Sequence, residues 1–198
     1  MASYEEASIT LSGYEGGYVN DPDDYGKETY RGVSRRYHPT WVGWEVIDEI
    51  KDAGAGFEAR LDTDKKLQRL VKEFYKVKFW DRFWGDQCPS QAVATELLDI
   101  AANLGAGRAI GFLQKSLNAL NRDGRLWTNL VVDRRFGTRT QVALKECLVR
   151  DEEYLLIMLN VEQGSHYIHQ VKKRSRQNRF LRGWLGRVTI SKDYQQLS

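Results

Sequence analysis

The chain has little of what most metal, redox and secreted scaffolds rely on: two cysteines, three prolines and three histidines among 198 residues. Cys88 and Cys147 are too few and too far apart in sequence for a disulfide framework or a zinc cluster, and both read as buried thiols. His38, His166 and His169 offer no zinc-hydrolase arrangement, although His166 and His169 can share one helix face. No metal and no cofactor is expected. No glycine-rich phosphate loop or dinucleotide fingerprint occurs, and no apolar run is long enough to span a membrane. Repeats and low-complexity linkers are also missing, so the two halves of the chain are expected to share an interface rather than a tether.

What is present suits one domain or two intimately packed small ones, since 41% hydrophobic residues is enough for an ordinary core. Charge is unevenly spread. The net charge is +3, but residues 166–198 hold eight Lys or Arg against one acid; subtracting that segment's +7 leaves −4 for the first 165 residues. Lys172, Lys173, Arg174, Arg176, Arg179 and Arg182 form a basic helix face, which reads equally as a solvated surface or as an attractor of polyanions.

Hydrophobic periodicity predicts a mainly α protein. Helices are expected over Tyr4 to about Tyr14, Trp41 to Asp52, Thr63 to about Phe79, Ser90 to Leu104 and Arg108 to Leu120. Others follow over Thr138 to Val149, Glu152 to about Lys173 and Arg176 to Trp184. Asp62 or Thr63 would cap the third, and Gly16-Gly17 would stop the first. Asp21-Pro22-Asp23-Asp24 and Gly26 are turn formers, and Thr29 to Ser34 reads as a short strand, so one small hairpin or irregular loop is expected there. A boundary near Gly85 to Pro89 divides the chain into residues 1–88 and 89–198.

Chemistry concentrates in the run Glu15-Gly16-Gly17-Tyr18-Val19-Asn20-Asp21-Pro22-Asp23-Asp24, where one carboxylate stands among small and aromatic residues and three more follow within nine positions. Carboxyl groups in unlike surroundings hold different protonation states at one pH, because an apolar pocket raises a pKa and a hydrated turn does not. Such a pair suits acid and base work on a glycosidic bond. A helix C-terminus before Glu15 would favour its protonated form by roughly 0.3–1 kcal/mol, with burial supplying the larger share. Taken alone, Glu15 also reads as an exposed helix-end carboxylate, and the aspartates as turn caps; the regular alternation and terminal Glu of a calcium-binding EF-hand are absent.

The longer stretch, continuing through Gly26, Thr29 and Gly32-Val33-Ser34, resembles the signature of the glycoside hydrolase 108 family of lysozyme-like N-acetylmuramidases, some once described as secretion activators. This chain departs from the family pattern at Lys27, where a second Gly is usual, and has Gly32-Val33-Ser34 for Gly-Ile-Thr. The spacing is similar to that of phage-type lysozymes, which place an Asp nine residues after the catalytic Glu; Glu15 and Asp24 keep it, and Thr29 lies one short of the usual Thr. The C-terminal half resembles a peptidoglycan-binding module at Leu98 to Gly105, Ala109 to Leu117, Asp123-Gly124, Phe136 to Thr140 and Phe180 to Trp184.

The resemblance implies a lysozyme-like helical fold with a small β-hairpin near the catalytic Glu. It implies cleavage of the β-1,4 bond between N-acetylmuramic acid and N-acetylglucosamine, with Glu15 as general acid, Asp24 as the preferred second carboxylate over Asp21 and Asp23, and Thr29 holding water. Tyr18, Asn20, Asp21 and Tyr30 are expected to contact substrate. The implied partner is bacterial peptidoglycan, with no nucleic acid, and the protein is expected to be a monomer. The acidic N-terminus lacks the pattern of a signal peptide, so synthesis in the cytoplasm and action on the wall after lysis or export by another route are expected. Two rival classes remain: a non-catalytic peptidoglycan-binding scaffold, and a helical nucleic-acid binder using the basic C-terminal face.

Overall fold

The computed structural model describes residues 1–11, 16–21 and 27–188. Its elements in order are α1 (Tyr4–Ile9), β1 (Tyr18–Asn20), β2 (Glu28–Tyr30), β3 (Val33–Ser34), α2 (Gly43–Asp52), α3 (Phe57–Thr63) and α4 (Lys65–Tyr75). A π-helical turn (Lys76–Trp80) and two 3₁₀ turns (Asp81–Phe83, Gly85–Gln87) lead to α5 (Gln91–Leu104), α6 (Ala106–Leu120), α7 (Thr138–Leu148) and α8 (Glu152–Lys173). A 3₁₀ segment (Ser175–Phe180) and α9 (Leu181–Leu185) follow.

Helix α5 is the centre of the molecule. Its buried side chains Val93, Ala94, Leu97, Leu98, Ile100 and Ala101 take up more than one stripe of the helix, which packs on α1 and the π-helical turn as well as on α6 and α8. One continuous apolar core therefore joins the N-terminal residues Tyr4, Ala7 and Trp44 to Leu113, Leu144 and Leu155. The Ser90 hydroxyl starts α5 by accepting from Val93 N at 3.0 Å, and its own proton goes to Glu152 Oε1 at 2.6 Å at the start of α8.

Four expected elements are corrected. Helix α1 stops at Ile9, five residues before Tyr14, because Thr10 N and the Thr10 hydroxyl both donate to Ala7 O and tighten the last turn. The expected helix end at Glu15 lies outside the described residues. The stretch from Thr29 to Ser34 is two strands, reversed at Arg31-Gly32, where φ is 43° and 77°. Two successive positive φ values define the hairpin turn whose twist matches its strands. The expected helix from Thr63 to Phe79 begins instead at Lys65: α3 ends at Thr63, Asp64 Oδ1 accepts from Leu67 N at 2.7 Å, and the last turn widens into the π form. Residues 176–184 are divided between 3₁₀ and a short α turn rather than forming one helix.

The sheet is antiparallel in the order β1-β2-β3. Its register pairs Tyr18 with Tyr30, Val19 with Thr29 and Asn20 with Glu28, and then Tyr30 with Val33.

Candidate active site

Alternation along the strands decides which side chains meet. Tyr18, Asn20, Glu28, Tyr30 and Val33 share one face of the sheet; Val19, Thr29 and Ser34 share the other. The first face is apolar toward Tyr30 and Val33, both fully buried, and ionic toward Glu28.

Glu28 is the electrostatic centre of this end of the sheet. Its Oε1 accepts from the Tyr18 hydroxyl at 2.7 Å and from Lys51 Nζ at 2.8 Å, and its Oε2 lies 3.1 Å from Arg35 Nε. Lys51 Nζ also donates to the Tyr18 oxygen at 3.0 Å, closing a three-membered ring of hydrogen bonds. Arg35 reaches on to Asp48 Oδ1 at 2.7 Å on α2 and stacks over the Trp44 ring at 4.6 Å. Burial alone would raise the Glu28 pKa, but the bonds from Lys51 and Tyr18 and the charges of Arg35 and Lys51 outweigh it and hold the carboxyl below its ordinary value. The Lys51 ammonium is pushed up by the bonds to Glu28 and Tyr18. Burial, followed by the opposing effects of Lys51 and Glu28, leaves the Tyr18 phenol raised.

Beside this network lies an open groove of about 470 Å³, lined by Asn20, Lys27, Glu28, Arg35 and Arg36. Asn20 and Asp21 are exposed at the end of β1. Among the described residues, nothing lies within 4 Å of where a Cβ would stand at Gly16 or Gly17.

The expected site residues divide as follows. Glu15 and Asp24 lie outside the described residues. Tyr18 and Asn20 are brought together with Glu28. Thr29 faces the opposite side of the sheet, where its hydroxyl donates to Lys27 O at 3.3 Å. Tyr30 is not a cleft residue: it is 0% exposed, donates to Leu61 O at 3.0 Å and accepts from Gln68 Nε2 at 2.9 Å. The structure adds Glu28, Lys51, Arg35 and Arg36. Among the described residues no group of three or more His, Cys, Asp or Glu is arranged to hold a metal ion.

A helical body with a three-stranded sheet at one end, edged by a charged groove, defines a lysozyme-like, mainly α protein. Residues 9–105 match the model of the Glycosyl hydrolase 108 family and residues 108–189 that of the Predicted Peptidoglycan domain. The chain belongs to the Glycosyl hydrolase 108 family, with a peptidoglycan domain as its second half. Peptidoglycan hydrolysis or binding is thus its function at the level of the family. The fold is similar to that in "Structure of Brucella abortus SagA", with a TM-score of 0.59 and 21% identity over 93% of this chain and 88% of that one. Comparison with curated proteins gave no match.

Proposed function

We propose that the protein hydrolyses the β-1,4 bond between N-acetylmuramic acid and N-acetylglucosamine in peptidoglycan of the bacterial cell wall. In this reading Glu15 gives its proton to the leaving oxygen. Asp24 stabilises the oxocarbenium-like centre or orients the attacking water; Thr29, on the face of the sheet opposite Asn20 and Glu28, is given no part in holding it. Tyr18 and Asn20 on β1, with Asp21 just after it, lie between the two acids in sequence and are the residues assigned to the sugar.

The observation that carries the reading is the Glu15 motif inside the matched segment 9–105, adjoining a groove whose described edges, Asn20 and Lys27, flank the Asp24 stretch in sequence. That no described residue crowds Gly16 or Gly17 is compatible with close approach of a ligand to the backbone there. Glu28 is no rival proton donor, because Lys51, Tyr18 and Arg35 keep it ionised; it serves instead to anchor β1 to β2 and α2.

Digestion of purified peptidoglycan followed by mass spectrometry tests the proposal. Wild-type protein is expected to release fragments with reducing-end muramic acid, and Glu15→Gln is expected to release essentially none while retaining wall binding. Reducing-end glucosamine would replace the bond assignment, and anhydro-sugar ends would keep the bond but replace hydrolysis by intramolecular transglycosylation. Equal release by both proteins would strike Glu15 as the acid, and release by neither would leave a wall-binding scaffold without turnover.

A further inference from the structure

A second pocket lies far along the chain from the Glu15 motif, where the end of α5 and the start of α6 meet α8 and the turns that follow it. It is a half-open hollow of about 230 Å³, below the roughly 300–1,000 Å³ of drug-sized sites, with room for part of one sugar residue rather than for a polymer. Arg108, His166, Gln170, Arg174 and Trp184 line it, and among the described residues no carboxylate does.

Three features of this pocket point to one ligand chemistry. First, its cations are uncommitted to acids. The nearby acids are engaged elsewhere, Asp99 with Arg187 at 3.3 Å and Glu162 with Lys115 at 3.1 Å, and among the described residues neither Arg108 nor Arg174 has a carboxylate within 4.0 Å. Arg108 is held in place by donating from one guanidinium nitrogen to Leu104 O at 2.6 Å. That leaves other N–H groups of its fork for a ligand.

Second, the wall carries an aromatic platform. Trp184 stacks on Tyr167 at 5.4 Å with 29° between the rings, and Phe180 stacks on Trp184 at 6.0 Å with 25°. Tyr167 and Trp184 of this stack line the pocket and give its wall an apolar aromatic surface against which a sugar can pack. Third, the segment supplying the outer wall is uniformly basic: residues 166–188 contain seven Lys or Arg and no Asp or Glu. That field draws in anions from a distance. Burial, followed by the Arg108, His169 and Lys115 charges, lowers the His166 pKa, so near neutral pH the ring acts as a neutral hydrogen-bonding partner beside the guanidinium groups.

We propose that this pocket binds a sugar residue that carries a carboxylate, with Arg108 and Arg174 on the carboxylate and Trp184 against the ring. In the wall such a carboxylate has two sources, the lactyl group of the muramyl unit and the stem peptide attached to it. The inference rests on reading the second half as peptidoglycan-binding, and it gives that half a recognition site separate from the groove at the sheet.

Isothermal titration of the full chain in about 150 mM salt, with three probes, tests it. The disaccharide N-acetylglucosaminyl-β-1,4-N-acetylmuramic acid has a free lactyl carboxylate and lacks the bond the enzyme is proposed to cut. Muramyl dipeptide has its single free carboxylate on the peptide, and chitobiose has none. One or both muramyl probes are expected to bind at least about tenfold more tightly than chitobiose, a difference of about 1.4 kcal/mol; which one does so assigns the source. Arg174→Gln, at an exposed position where folding is not at risk, is expected to remove most of that preference. Trp184→Ala should weaken all sugar binding together.

Equal binding of chitobiose, an unchanged preference in Arg174→Gln, or duplex DNA displacing the probes with a steep salt dependence would overturn the proposal. Retention on insoluble sacculi separates its failure from that of the underlying reading. If Arg174→Gln and Trp184→Ala are retained like wild type, the pocket assignment alone falls. If wild type is not retained at all, the peptidoglycan-binding reading falls with it.

Discussion

Asn118 and the backbone of Leu130 exchange both hydrogen bonds of a ladder pair: the side-chain amide donates to Leu130 O at 2.8 Å and accepts from Leu130 N at 2.7 Å. One turn on, Asn121 repeats the arrangement with Trp127, donating at 2.7 Å and accepting at 2.9 Å. One turn back, Gln114 donates to Arg135 O at 3.0 Å and accepts from Arg134 N at 3.0 Å. Two amides on one face of α6 and a third at its C-cap thus stand in for the strand that the irregular segment 122–137 lacks, satisfying backbone groups that burial would otherwise leave orphaned.

Removing one of these amides should be costly. Asn118→Ala deletes two hydrogen bonds and strands the Leu130 N–H and C=O, an expected loss of roughly 2–4 kcal/mol in urea unfolding. Asn118→Asp keeps the acceptor but loses the donor, and should lie between alanine and wild type. A loss within about 0.5 kcal/mol, as for an ordinary surface position, would show that water replaces the amide without penalty.

The Glu28 network makes an acid-sensitive contribution. Its folded pKa is depressed below the ordinary 4.5, so its stabilisation is fully present above the unfolded value and disappears as pH falls through the folded one. Glu28→Gln should therefore lower the melting temperature at pH 6, by about 4–8 °C for a loss of about 2 kcal/mol. The gap between variant and wild type should close toward pH 3. Because the Lys51 pKa is raised, its half of the interaction should persist until pH climbs past the ordinary lysine value of 10.5. A gap that does not change between pH 6 and pH 3 would refute the assignment.

Glu96 works in the opposite sense. Burial, reinforced by the neighbouring Asp99 and opposed by a bond from Asn160, raises its pKa to about 7, and Glu96 Oε1 is enclosed without a hydrogen-bond partner among the described residues. A carboxyl whose folded pKa exceeds its unfolded one destabilises the fold as pH rises from the unfolded value through the folded one. Glu96→Gln should thus gain on wild type between pH 5 and pH 8, with a melting temperature higher by several degrees at pH 8 and little different at pH 5. Thermal melts at the two pH values decide; a gap of equal size at both would rule out ionisation of Glu96 as the cause.

Much of the helical framework was legible in the sequence. Ser90 ahead of an apolar repeat marks the start of α5, and α8 runs from Glu152 to Lys173 as its pattern implies. The stop of α1 was hidden because Thr10 ends the helix through its own hydroxyl, whereas Gly16-Gly17 offered the louder signal. Tyr30 near the motif looked like a cleft residue, but strand alternation turns it into the core. Glu28 went unnoticed for a related reason: a lone acid in a polar stretch reads as solvated, and its partner Lys51 is 23 positions away on α2. Local pattern carries no information about such a meeting. The same holds for the α6 amides, whose partners are backbone groups that no side-chain pattern marks.

Helix α5 closes the N-terminal segment and at the same time supplies the surface on which α6 and α8 lie. The junction between the two matched segments, at residues 105–108, is therefore no seam along which the halves could be traded as independent cassettes. A lineage that exchanged its wall-recognising half would have to keep the apolar relief of this one helix, so the catalytic and recognition parts are bound to evolve as a matched pair.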